Sequence, residues 1–111
     1  MRNTEEVVNH HLQALSEGLD SILSDYNETP CIIGPERNFN GLDEISILFK
    51  RLLEAVAAGV LDNFKVNRTV IDGELAYFTW EAKPLWPMAT DTFIVRDGKI
   101  LYQTFAIYAN S

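Results

Sequence analysis

Residues 91–111 constrain the fold most, because they join two strand-like runs through a tight-turn signal. Both runs are rich in β-branched and aromatic residues, and they flank Arg96–Lys99, which contains Asp97–Gly98. An Asp-Gly pair in this setting predicts a β-hairpin. Successive side chains of a strand point to opposite faces, so Asp91 shares a face with Phe93 and Val95. The sequence therefore predicts an acid on an otherwise apolar face.

A second hairpin is predicted upstream. The strand-like runs Phe64–Ile71 and Glu74–Ala82 flank another Asp-Gly pair, Asp72–Gly73. Proline cannot donate to a sheet, so Lys83–Met88, which contains two prolines, is predicted as a crossing loop or an irregular strand edge. One face of the second run is predicted to carry Ala76, Phe78, Trp80 and Ala82.

The first half of the chain has helical periodicity instead. Helices are predicted over Thr4–Glu17, with Thr4 as N-cap, over Leu19–Tyr26, and from Gly41 to Gly59. Pro30 starts an extended segment between the second and third helices. Helices followed by antiparallel strands predict an α+β domain. We expect three N-terminal helices packed on a strongly curved, mixed but mainly antiparallel sheet.

Composition and charge limit the classes of molecule that the protein is expected to bind. The 111 residues, 47% of them hydrophobic, fit one domain over residues 1–111. A net charge of −7 leaves no basic stripe, which argues against nucleic acid and anionic membranes. The lone Cys31 indicates a reducing compartment. The sequence has no secretory signal pattern and no apolar run of roughly 18 residues, so a cytoplasmic location without membrane contact is predicted.

No metal or cofactor is predicted. His10 and His11 are adjacent, but neighbouring positions of a helix diverge by roughly 100° and do not readily bind one ion. Phosphate-loop, zinc and dinucleotide patterns are not found in the sequence.

Two segments carry a family resemblance. Asn38-Phe39-Asn40-Gly41 leads into Asp43–Ile45, and Asp91–Ile100 closes with an Asp-Gly-Lys-Ile turn. With the order of elements, these segments make nearly the whole chain similar to the nuclear transport factor 2-like superfamily, in its SnoaL-like and ketosteroid isomerase-like branch. The resemblance implies a cystatin-like cone in which helices and a bent sheet enclose a deep, mostly apolar pocket, and dimerisation through the outer face of the sheet.

The resemblance also implies two catalytic residues. Asp91 falls where ketosteroid isomerases carry a protonated acid that donates to the substrate oxyanion. His11 falls where they carry the oxyanion-binding tyrosine. Ile32 stands at the position of their general base, so steroid isomerisation by the known mechanism is not expected.

His11 and Asp91 remain as a possible acid/base pair, in which the acid fixes the tautomer of the histidine. The alternative is that Asp91 merely satisfies a buried His11.

A ligand pocket is predicted from residues that share the inner faces. The predicted ligand-binding residues are Tyr26, Phe78, Trp80, Phe93, Gln103 and Phe105. Tyr26 would line the mouth, and Gln103 would orient a ligand or hold His11 or Asp91. The alternative is that these side chains fill the core completely.

The opposite sheet face mixes aromatic residues with threonines, which predicts a homodimer interface. Its predicted members are Tyr77, Thr79, Thr92, Ile94, Tyr102, Thr104, Ala106 and Tyr108. Three functions stay open. One is an isomerase, cyclase or hydratase acting on a small hydrophobic molecule, the second is a ligand-binding module without turnover, and the third is a dimeric interaction domain whose interior is filled.

Overall fold

Three helices pack on one six-stranded sheet in a computed structural model that describes residues 1–110. Ser111, the end of the predicted domain, lies outside the described residues. The elements are α1 Thr4–Ala14, α2 Leu19–Leu23, β1 Tyr26–Ile33, β2 Asn38–Asn40, α3 Gly41–Ala57, β3 Phe64–Asp72, β4 Leu75–Ala82, β5 Trp86–Arg96 and β6 Lys99–Tyr108. The predicted α+β class and the three helices are confirmed.

The strand order is β2-β1-β6-β5-β4-β3, and β1 runs parallel to β6 while the other neighbours are antiparallel. The sheet is therefore mixed and mainly antiparallel, as predicted. The parallel pairing places Ile32 beside Gln103. It joins the first strand of the chain to the last, next to the strand that carries Asp91.

Both hairpins form at the Asp-Gly signals. Arg96 pairs with Lys99, and Asp97 (φ 53°) and Gly98 (φ 74°) have the positive φ angles that a two-residue turn of the favoured hand requires. In the upstream hairpin Asp72 pairs with Leu75, so the turn falls one residue later than predicted.

The inner face of the sheet packs against the helices to form the core. On β4 the four residues predicted to share a face, Ala76, Phe78, Trp80 and Ala82, are all buried. Helix α1 contributes Val7 and Val8, and α3 contributes Ile45 and Phe49. In the part of the chain that the structure describes, no helix is long and apolar enough to span a membrane.

Helix α1 begins differently from the prediction. Its N-cap is Asn3, whose Oδ1 accepts the Glu6 N–H at 2.8 Å while Glu6 Oε1 accepts the Asn3 N–H at 3.0 Å. This reciprocal capping box satisfies two helix-end donors, which explains why Asn3 takes the position predicted for Thr4. The Thr4 hydroxyl instead donates to the carbonyl of Gly73 at 2.7 Å. The helix ends at Ala14 rather than Glu17, because the chain turns toward Gly18 (φ 111°).

Two other boundaries also differ. The helix predicted to reach Tyr26 ends at Leu23, because β6 captures the next residues: the Ile100 N–H donates to the Asp25 carbonyl at 2.7 Å, and Tyr26 pairs with Ile100. The predicted loop 83–88 shrinks to residues 83–85, because Ala82 pairs with Trp86 at the start of β5.

Candidate functional site

A cavity of about 100 Å³ lies between α1, α3 and the inner face of the sheet. Most of its wall is apolar, and the polar groups that reach it belong to His11, Trp80, Asp91 and Gln103. The apolar lining consists of Leu12, Leu15, Leu48, Phe49, Leu52, Leu61, Phe64, Phe93, Phe105 and Ile107, together with the body of Trp80. Few polar groups converging in an apolar cavity are the usual form of a small-molecule site.

A larger groove, of about 490 Å³, runs beside the N-terminus. Two of its charged residues, Arg96 and Glu74, form an ion pair at 2.8 Å, and both side chains are more than half exposed. Exposed ion pairs of this kind are common on protein surfaces and need no ligand to explain them. The smaller cavity is the better candidate because three of its four polar residues, His11, Trp80 and Gln103, are buried.

Asp91 is held on β5 by its neighbours on β4 and β6. The Trp80 Nε1–H donates to Asp91 Oδ2 at 2.9 Å, and the Gln103 amide nitrogen donates to Oδ1 at 3.4 Å. Burial raises the pKa of Asp91 to about 7, because the apolar surroundings penalise the charge by more than these two hydrogen bonds stabilise it. Both protonation states are therefore populated near neutral pH, the condition in which a carboxyl can give or take a proton.

His11 points from α1 into the same interior. Its ring meets those of Tyr26, Phe49 and Phe93 edge-on, with centroids 5.4, 5.6 and 5.5 Å away. Its Nε2 lies 3.4 Å from the Tyr26 hydroxyl, and its Nδ1 lies 3.5 Å from Asp25 Oδ2. The latter contact is too long for a well-formed hydrogen bond, so Nδ1 has only this electrostatic partner among residues 1–110.

The carboxylate beside His11 is thus Asp25, not Asp91 as the sequence suggested. Asp25 is fully buried and accepts from His10 Nδ1 at 2.7 Å and from the Arg2 guanidinium at 2.9 Å. Burial acts to raise its pKa, but the contacts with His11, Arg2 and His10 outweigh burial and hold the pKa below its ordinary value. Asp25 therefore stays ionised at neutral pH.

Tyr26 and Gln103 connect His11 to Asp91. The Tyr26 hydroxyl donates to Gln103 Oε1, and the other end of the same amide faces Asp91. Burial, followed by the nearby charges of Asp91 and Asp25, raises the pKa of Tyr26 well above its ordinary value, so the phenol keeps its proton. A continuous polar chain therefore runs from Asp25 through His11, Tyr26 and Gln103 to Asp91.

Four of the six residues predicted to bind a ligand line the cavity: Trp80, Phe93, Gln103 and Phe105. The other two lie behind it. Phe78 packs edge-on against Phe93, 5.8 Å between centroids, and Tyr26 is buried against His11 and Gln103 instead of lining the mouth.

Sequence reasoning missed Asp25 and the leucines of α1 and α3. The leucines looked like any helical stripe, and a lone acid at a helix end carries no signal of burial. No cluster of three or more metal-ligating side chains occurs within residues 1–110.

No protein-family model and no curated protein matches this sequence. Solved structures do match it. A nuclear transport factor 2-like protein of unknown function from Burkholderia xenovorans has a TM-score of 0.74 at 19% identity, over 97% of this chain and 84% of that chain. A candidate ketosteroid isomerase from Kribbella flavida has a TM-score of 0.72 at 12% identity, over 97% of this chain and 79% of that chain.

A third match is a candidate isomerase of the SnoaL-like family from Agrobacterium tumefaciens, with a TM-score of 0.66 at 13% identity over 97% of this chain and 99% of that chain. Identities this low establish a shared architecture and leave the chemistry to the site itself. The chain therefore has the nuclear transport factor 2-like fold, and its structural neighbours include proteins of the SnoaL-like and ketosteroid isomerase-like branch.

Proposed function

We propose that the cavity binds a small, neutral, mostly apolar molecule and that Asp91 exchanges a proton with it. The observation that carries this proposal is the carboxyl of Asp91, held in an apolar wall with a pKa of about 7. A neutral carboxylic acid donates a hydrogen bond to a carbonyl oxygen, and its conjugate base accepts a proton. Isomerase, cyclase or hydratase chemistry fits such a group.

The size of the cavity limits the ligand. An apolar cavity of about 150 Å³ holds benzene. The present cavity, at about 100 Å³, suits a five-membered ring rather than a polycyclic molecule. We therefore name small cyclic ketones and lactones as the ligand class, the carbonyl oxygen facing Asp91.

The structural neighbours lend support. Two of the matching proteins are candidate isomerases, and another, from Sinorhizobium meliloti, is a candidate polyketide cyclase. By analogy we further propose that the helices and the curved sheet form a cone around the cavity, which makes it a ligand pocket.

Ligand binding without turnover is the second candidate. Ile32, at the position of the general base in ketosteroid isomerases, is fully buried and apolar. Reactions that move a proton between carbons need a base within reach, so a pocket limited to Asp91 and His11 fits storage or sensing of the ligand as well.

Binding is tested by nuclear magnetic resonance with cyclopentanone and γ-butyrolactone as probes. For molecules of about six heavy atoms we expect millimolar affinity, which is about 0.7 kcal/mol per heavy atom and lies well under the ceiling of about 1.5 kcal/mol per atom. Saturable shifts of the Trp80 indole N–H and the Gln103 side-chain amide are the expected result. Leu52→Phe places a larger ring in the cavity wall and should abolish the shifts, whereas Ile47→Phe, on the exposed side of the same helix, should not.

Turnover is tested with the same ketone in deuterium oxide, because acid/base catalysis exchanges its α-hydrogens. Asp91→Asn should slow this exchange by at least about 100-fold, the usual contribution of a positioned acid or base. Asp97→Asn is the matched control, since Asp97 lies exposed in a turn. Ligand binding without hydrogen exchange would favour the second candidate, a ligand-binding module without turnover. Absence of saturable shifts with either probe would overturn the proposal.

The homodimer remains a separate proposal. Tyr102 and Tyr108 are 50% and 66% exposed on the outer sheet face, and tyrosines are enriched at protein interfaces. Sedimentation of the wild type and of Tyr102→Glu checks it. We expect a dimer that the glutamate dissociates, and a wild-type monomer at micromolar concentration would refute it.

A further inference from the structure

His11, Tyr26, Gln103 and Asp91 form a hydrogen-bonded chain in which each contact needs one donor and one acceptor. Tyr26 has one hydroxyl hydrogen and lies against both His11 Nε2, at 3.4 Å, and the amide of Gln103. Gln103 presents one end of that amide to Tyr26 and the other to Asp91 Oδ1, at 3.4 Å. Because the Tyr26 hydroxyl has one hydrogen, and one end of the Gln103 amide only donates while the other only accepts, the direction of each hydrogen bond in the chain fixes the direction of the next.

One arrangement satisfies the whole chain with the mobile proton on His11. His11 Nε2–H donates to the Tyr26 oxygen, Tyr26 donates to Gln103 Oε1, and Gln103 Nε2–H donates to the Asp91 carboxylate. His11 Nδ1–H faces Asp25 Oδ2. The structure has this orientation of the amide, with oxygen toward Tyr26 and nitrogen toward Asp91.

A half-turn of the Gln103 amide satisfies the reverse arrangement. Asp91, now a carboxylic acid, donates to Gln103 Oε1, Nε2–H donates to the Tyr26 oxygen, and Tyr26 donates to the bare Nε2 of His11. One proton has left His11 Nε2 and one has joined Asp91 Oδ1, so the number of protons is unchanged and no other bond is broken. If both ends carried the proton, two donors would meet or the Asp91 hydrogen would point into the apolar cavity without an acceptor. If neither did, two acceptors would meet, either within the chain or between His11 Nδ1 and Asp25.

We propose that Tyr26 and Gln103 are positioning residues that make His11 and Asp91 share one proton. The state of His11 then sets whether Asp91 is a neutral acid or a carboxylate in the free protein, and a bound ketone would accept the hydrogen of the acid in place of Gln103 Oε1. Only this consequence for a ligand rests on the proposed function, because the sharing is a property of the protein without ligand.

The charged neighbours of the pair lie on the His11 side. On the His11 side the charged neighbour is Asp25, whose Oδ1 accepts from Arg2 and whose two oxygens both lie within 2.9 Å of His10 Nδ1. Glu17 lies 3.6 Å from the far nitrogen of His10.

The remaining contacts are uncharged. Helix α3 presents the Phe49 ring to His11, and β4 presents the Trp80 N–H, which donates to Asp91 Oδ2 at 2.9 Å in either arrangement. The Tyr26–Gln103 link is therefore the connection that decides how the two ends influence each other.

The test is a pH titration of the unliganded protein followed at two labelled sites, the ¹⁵N nuclei of the His11 ring and the ¹³C carboxyl of Asp91. In the wild type we expect the same two titration steps to appear at both sites, because the steps belong to the pair. Tyr26→Phe and Gln103→Leu each break the chain. In both variants we expect one step per site, with the separation between the steps reduced by about one pH unit or more, the cost of one unsatisfied buried polar group.

Gln13→Leu, which removes an amide from the exposed side of α1, is the matched control for Gln103→Leu and should keep the wild-type titration. Amide spectra establish that each variant is folded, and having two variants guards against failure of one to fold. A single, independent titration step at each site in the wild type would overturn the inference and indicate two separate sites. A separation between the steps that persists in Tyr26→Phe and Gln103→Leu would overturn it as well and indicate coupling through space. If the two sites share their titration steps but the protein binds no ketone, the inference stands and only the proposed function is refuted.

Discussion

Replacing Asp91 by asparagine should favour the folded state more at alkaline pH than at acidic pH. Burial raises the pKa of this carboxyl from 3.8 to about 7. The folded state therefore favours the neutral acid, and the stability that this provides is complete below about pH 4, the unfolded pKa. It is lost as the pH rises toward 7, and above that the contribution is constant. Three pH units correspond to about 4 kcal/mol, and the partial exposure of Asp91 reduces this to about 2–3 kcal/mol.

The assay is urea unfolding, followed by tryptophan fluorescence, at pH 4, 5.5, 7 and 8.5. Asparagine is neutral at every pH and nearly isosteric with the protonated acid, so its lost contacts are a constant offset. We expect the free energy of unfolding of Asp91→Asn, relative to wild type, to rise by about 2–3 kcal/mol between pH 4 and pH 8.5. The exposed-turn variant Asp97→Asn should show no such rise. A difference between Asp91→Asn and wild type that is independent of pH would refute the burial argument.

Three further predictions concern the scaffold. Asp25→Asn leaves Arg2 and His10 without their buried carboxylate and should cost about 3 kcal/mol at pH 7 in urea unfolding. Because the pKa of Asp25 is lowered by folding, this cost should shrink as the pH falls below about 4, and a cost constant with pH would contradict it. Asn3→Ala removes the cap of α1 and should cost about 1 kcal/mol, whereas Asn3→Asp should cost little; equal losses would argue against capping. Gly98→Ala, at φ 74° and with its new Cβ 3.0 Å from a Met1 side-chain carbon, should lower the thermal midpoint more than Gly98→Asn, and the opposite order would contradict the turn assignment.

Local patterns determined most of the fold. The Asp-Gly turns, the period-two strands and the helical stripes each depend on residues a few positions apart, and the structure has hairpins and helices at those places. The inner and outer faces of β4 also followed from alternation alone. Wrong boundaries occur where distant contacts compete with local preference. Tyr26 continues a helical stripe in sequence, yet β6 captures it into a strand.

Identifying the candidate site required both local sequence patterns and the tertiary structure. The sequence alone identified Asp91, His11 and Gln103 as polar groups on apolar faces, because a face is a local property of a strand or helix. Only the tertiary structure paired His11 with Asp25 and joined Tyr26 to Gln103, residues 77 positions apart. The volume of the cavity was likewise settled by packing, since it is the small space left among side chains of α1, α3 and four strands. Partners and volumes arise from elements brought together by the whole fold, so no local periodicity records them.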